Sequence, residues 1–81
     1  MKANRNVIGP QVRKARFEKE IRQEDLAAKC GVLGWDISRG TLAKIEAEIR
    51  CVTDEELWIL AKALGVKLES LYPSKMPPRK P

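Results

Sequence analysis

The stretch from Thr53 to Gly65, TDEELWILAKALG, limits what this chain can fold into more than any other part of it. Thr53 followed three residues later by Glu56 is a capping-box pattern, in which each side chain satisfies the other residue's free backbone N–H. Leu57, Leu60, Ala61 and Leu64 then recur at the spacing that places them on one side of a helix, and Gly65 offers a left-handed stop. Such a stripe needs other apolar surfaces to cover it. The rest of the sequence supplies them with the same helical period and shows no strand-like alternation and no internal repeat.

Pro10 suits the first turn of a helix over about 10–19, with Val12, Ala15, Arg16 and Lys19 on one side and Phe17 extending the inward face. A second helix begins near Gln23, where Glu24 and Asp25 complement the helix dipole, and Leu26, Ala27, Cys30 and Leu33 form its inward stripe up to a stop at Gly34. The competing reading ends it at Cys30 with Gly31 as the stop and leaves 32–37 as an extended loop, because a glycine inside a helix costs about 1 kcal/mol. Ser38 caps a third helix over about 39–47, extending at most to Ile49, with Leu42, Ile45 and Ile49 facing the core. A short last helix over about 67–72 brings Leu68, Leu71 and Tyr72 against the bundle. The expected fold is all-α, a compact five-helix domain over 8–72. A basic arm over 1–7 and the proline-rich basic tail PSKMPPRKP over 73–81 are expected to be loosely held.

The 81 residues, 43% of them hydrophobic, suffice for one core and not for two. Sixteen basic against eleven acidic residues leave a formal charge of +5, which favours anionic partners such as nucleic acid or an acidic membrane. No apolar run nears the roughly 20 residues needed to cross a bilayer, and the start MKANRNVIGP lacks a secretory apolar stretch, so a cytosolic protein is expected. In that reducing setting Cys30 and Cys51 read as small buried hydrophobes rather than a disulfide. Two cysteines and no histidine cannot make a four-ligand zinc site from one chain, and neither a metal nor another cofactor is expected. With three serines, no glycine-rich phosphate loop and no recognisable pair of carboxylates, the chain does not read as an enzyme, and no small-molecule site is visible.

The third helix has two faces of different kind. At 100° per residue, Leu42, Ile45 and Ile49 point one way, while Gly40, Ala43, Lys44 and Ala47 point the other, with Arg39 flanking near the amino end. Insertion into a DNA major groove needs small residues that let the backbone approach, together with a few donors that read base edges. Arg39 can fork onto a guanine, Lys44 can reach a guanine or a phosphate, and Thr41 can offer its methyl to thymine. An ordinary solvated helix face with two chance cations fits the spacing equally well.

The stretches RQEDLAAKCGV, SRGTLAKIEAEIR and VTDEELWILAKALGVKLESLYP, in that order, resemble the Cro and phage-repressor type helix-turn-helix family, also called Xre-like, over residues 8–72. The resemblance implies double-stranded DNA as partner and a transcription regulator, in particular a repressor. It implies that Ser38, Arg39, Gly40, Thr41 and Lys44 are the cap and base-reading positions of the recognition helix. Gln23 matches the family's glutamine at the start of the second helix, which touches a phosphate and buttresses the recognition helix. Arg22 and Arg50 are implied to meet the sugar-phosphate backbone. Arg16 and Glu46 match a largely buried salt bridge between the first and third helices, whose one-sided removal costs about 3–5 kcal/mol. Relatives dimerise through the last two helices, which implies a homodimer through Trp58, Ile59 and Leu68.

The sequence also departs from the family pattern. Glu20 stands where relatives place a glycine after the first helix, and Arg22 where they place a serine or threonine cap. Ala47 and Glu48 replace a common Asn-Gly after the recognition helix, which is expected to remove a left-handed stop and puts a carboxylate near the DNA. The span from Gln23 to Glu46 is about five residues longer than usual, and the extra residues, roughly LGWDI, are assigned to the end of the second helix and the turn, with Trp35 packing as a plug. These departures leave room for a different function on the same fold, a protein-interaction module of antitoxin or anti-regulator type.

Overall fold

The structure, a computed structural model, describes residues 6–75. It is all-helical, with α1 over Gly9–Glu18, α2 over Gln23–Val32, α3 over Arg39–Glu46, α4 over Asp54–Leu64 and a single 3-10 turn at Leu68–Leu71. Four helices and a 3-10 turn thus stand where five helices are expected. Most of the basic arm and of the proline-rich tail lies outside the described residues; of the arm, Asn6 is buried and Val7 packs against the core.

The helix starts follow local chemistry. Thr53 Oγ1 accepts from the Glu56 N–H at 3.2 Å while Glu56 Oε1 accepts from the Thr53 N–H at 3.0 Å, so the capping box is complete. Ser38 Oγ accepts from the Thr41 N–H at 3.1 Å and so caps α3. Arg22 begins α2 without a side-chain cap, as its side chain has no acceptor to offer. At α1 the capping oxygen comes from outside the helix, since Asn6 Oδ1 accepts from the N–H groups of Ile8 at 3.0 Å and Gly9 at 2.7 Å.

The helix ends share one solution. After each of the four, the residue that turns the chain has positive φ: Glu20 at 57°, Gly34 at 102°, Glu48 at 65° and Gly65 at 72°. The following N–H reaches back over the turn in every case, from Ile21 to Arg16 O at 3.0 Å, Trp35 to Cys30 O at 2.9 Å, Ile49 to Lys44 O at 2.9 Å and Val66 to Ala61 O at 3.1 Å. This is the Schellman arrangement, which satisfies carbonyls that the helix leaves free. The left-handed stop expected to be lost at Glu48 is therefore present, carried by a glutamate.

These stops correct several inward assignments. α3 ends at Glu46, so Ile49 lies beyond the turn and is 61% exposed instead of facing the core. Phe17 is 58% exposed rather than inward, and Leu33, at the end of α2, is 40% exposed. α2 runs through Gly31 and stops at Gly34, so the reading with the longer helix holds over the one ending at Cys30. Of Leu68, Leu71 and Tyr72, only Leu71 is buried.

Val12, Leu26, Cys30, Leu42, Ile45, Leu60 and Leu71 are completely buried and knit all five elements into one core. Burial pushes the Cys30 thiol up to about 11, so it sits in the core as a neutral apolar group. Cys51, read from sequence as buried, is exposed. Trp35 packs against the edge of this core with the Arg50 guanidinium 5.9 Å from its ring centroid. Arg50 in turn forks onto Glu56 at 3.0 and 3.1 Å, joining the turn after α3 to the capping box of α4. That bidentate hydrogen bond from Arg50 holds the Glu56 carboxyl below its ordinary value.

Candidate nucleic-acid interface

α3 is clamped along its inner side and bare along its outer side. Leu42 and Ile45 are fully buried, whereas Arg39, Gly40, Lys44 and Ala47 are exposed and Ala43 half-buried. A methyl added to Gly40 would meet only Ser38 Oγ at 3.8 Å, so internal packing does not demand a glycine there. Thr41, half-buried, accepts the Ser38 hydroxyl at 3.1 Å. The outer face is thus flat and small, with a cation near its first turn and another near its last.

Glu46 anchors the helix from below. Its carboxylate takes a fork from Arg16, Nε to Oε2 at 2.8 Å and Nη2 to Oε1 at 3.0 Å, and a third hydrogen bond from Gln23 Nε2 to Oε1 at 3.1 Å. Arg16 also donates to the Ile21 carbonyl at 3.0 Å. With the two side chains 8% and 3% exposed, this pair ties α1, the start of α2 and α3 into one body. A buried pair is tolerated because its donors and acceptors are filled, and no buried polar side-chain atom among the described residues lacks a partner.

A second anchor was not legible in the sequence. Asn6 Nδ2 donates to the carbonyls of Ile45 and Arg50, both at 2.9 Å, so one buried amide holds the start of α1 to the end of α3 and to the turn behind it. Gly9 belongs to the same contact, since a Cβ there would overlap the Ile45 carbonyl oxygen.

Beside the outer face of α3 lies an open cleft of about 460 Å³, walled by Arg13, Arg22, Arg39, Ala43 and Ala47 above the Arg16–Glu46 pair. Four guanidiniums line it against two carboxylates, those of Glu24 and Glu46. Arg39 approaches Glu24 at 3.8 Å and Arg22 approaches Asp25 at 3.4 Å, both pairs largely exposed. Exposed pairs of this sort contribute about 0–1 kcal/mol and yield readily to a stronger anion. The expected DNA-contacting residues Arg22, Gln23, Ser38, Arg39, Gly40, Thr41 and Lys44 lie on α3 or at the start of α2 and α3, whereas Arg50 is engaged by Glu56 and by the Cys51 carbonyl at 3.0 Å. Arg13 was missed because its place in the cleft depends on how α1 crosses α3, although its position three residues before Arg16 puts both on one side of α1. Elsewhere, Trp58 and Leu68 are 52% and 40% exposed, and Ile59 packs partly against the core.

A short, capped helix held against a bundle by its inner side, preceded by a helix and turn and set beside a basic cleft, defines a helix-turn-helix domain. The chain matches the Helix-turn-helix family over residues 12–71 and belongs to it, as a member of its Xre/Cro type, a group of DNA-binding regulators and not of enzymes. Among solved structures it is similar to the restriction-modification controller protein C.AhdI from Aeromonas hydrophila, with 27% identity and a TM-score of 0.72 over 83% of this chain and 94% of that one. The clp gene regulator ClgR from C. glutamicum shares the fold at 24% identity and a TM-score of 0.73, over 82% of this chain and 79% of that one. No curated protein sequence matches the chain. No helix among the described residues is long and apolar enough to cross a membrane.

Proposed function

We propose that this protein binds double-stranded DNA sequence-specifically and represses transcription by occupying its site, with the exposed side of α3 in the major groove. The observation that carries this reading is the contrast across α3, where Gly40, Ala43 and Ala47 keep one side low while Leu42, Ile45 and Glu46 lock the other into the bundle. A low surface lets the backbone approach base edges, and Arg39, Thr41 and Lys44 then reach them. Arg22, Gln23 and Ser38, at the starts of α2 and α3, meet the flanking phosphates with their side chains and with free helix-terminal N–H groups. Arg50 reaches a phosphate only by sharing a guanidinium that Glu56 already holds. Likeness to a controller protein and to a gene regulator favours gene control over a pure protein-interaction scaffold.

Selection of bound sites from random duplex DNA tests the proposal. The recovered sequences are expected to share a short motif, and Lys44→Ala is expected to relax one base preference within it. Recovered sequences without a common motif, from wild type and variant alike, would overturn it.

A further inference from the structure

Phe17 is out of place for a structural residue. It is 58% exposed on α1, and two guanidiniums lie close to its ring, Arg16 at 4.7 Å and Arg13 at 5.2 Å from the centroid. Arg16 is fixed there by Glu46, but Arg13 has no carboxylate partner among the described residues. It projects instead into the cleft beside Ala43 and Ala47, where Arg22 and Arg39 each already face a carboxylate. A planar cation resting on a ring keeps its five donors oriented and loses less rotamer freedom when an anion arrives.

We propose that Arg13, held in place by Phe17, forms a binding site for one backbone phosphodiester in the cleft between α1 and α3. The inference rests on the DNA-binding reading above and adds to it a contact from α1. The site is basic, open and wide enough for a phosphate group, and it sits beside the bare face of α3, where a duplex engaged by that face would lay its backbone. Because the contact is to phosphate, it operates on any sequence.

The test needs no known operator. Affinity for a random-sequence duplex of about 20 base pairs is measured by fluorescence anisotropy across a salt series, with thermal melting alongside. Arg13→Ala is expected to leave the melting temperature nearly unchanged, since the side chain is exposed, to weaken binding about tenfold and to lower the salt slope by about one. Phe17→Leu keeps the charge and is expected to preserve the slope while weakening binding about two- to fivefold. A wild-type slope in Arg13→Ala, or undiminished affinity in Phe17→Leu, overturns this site while leaving the DNA-binding reading standing. Failure of the wild-type chain to bind any duplex removes both.

Discussion

One amide decides more here than its size suggests. Asn6 makes four hydrogen bonds with its side chain, two accepted by Oδ1 and two donated by Nδ2, all at 2.7–3.0 Å. Truncation to alanine strands two N–H groups at the start of α1 and the Arg50 carbonyl, and leaves the Ile45 carbonyl with only the Glu48 N–H at 3.0 Å. Asn6→Ala is therefore expected to cost about 2–4 kcal/mol, a fall of roughly 10–25 °C in melting temperature, measurable by circular dichroism. A change under about 3 °C would show that solvent fills the gap. Its capping half is local, reaching Ile8 and Gly9 two and three positions on, but its anchoring half is not: Ile45 and Arg50 are 39 and 44 positions away, and neighbouring basic residues make the segment look like a solvated arm.

At the level of the helices, legibility followed the agreement of independent local signals. α4 was readable end to end because its capping box, apolar stripe and glycine stop all pointed to the same boundaries. α3 was readable at its start, through Ser38, and at its end to within a residue of Ala47, but not in the further extension to Ile49, because a helical period continues there while the real stop is a glutamate in a conformation that glutamate seldom takes. The same physics explains the misplaced Leu33, just past the last residue of α2, whereas Phe17 lies within α1 and shares its outer side with the exposed Arg13 four residues before it. The exposed side of α3 could be laid out from spacing alone, but its neighbours in the cleft could not, since helix crossings are set by side chains far apart in sequence. Left-handed glutamates also store strain. Relieving about 1–2 kcal/mol of backbone strain, less about 0.5–1 for the added chain entropy of glycine, Glu48→Gly and Glu20→Gly are each expected to stabilise by about 0.5–1 kcal/mol in urea unfolding. A neutral or destabilised variant would mean that the glutamate side chain makes a compensating contribution at that position.

For the molecule as a whole, the bundle leaves apolar side chains uncovered along α4 and the turn after it. Trp58 stands 52% exposed with the Lys62 ammonium 5.3 Å from its ring centroid, and Leu68 and Tyr72 are 40% and 48% exposed. We infer that two copies meet through this side, with Trp58, Ile59 and Leu68 in the contact. Sedimentation at micromolar concentration is expected to give a dimer and Trp58→Glu a folded monomer, while a monomeric wild type would refute the pairing. The length of α3 shows why pairing matters. Eight residues rising about 1.5 Å each make a rod about 12 Å long, which spans only three or four stacked base pairs. Four base pairs hold eight bits, an address that chance repeats about every 256 positions, so one copy alone is lost in the background of competing sites. Two copies that read together double the message, and the expected interval grows to tens of thousands of base pairs.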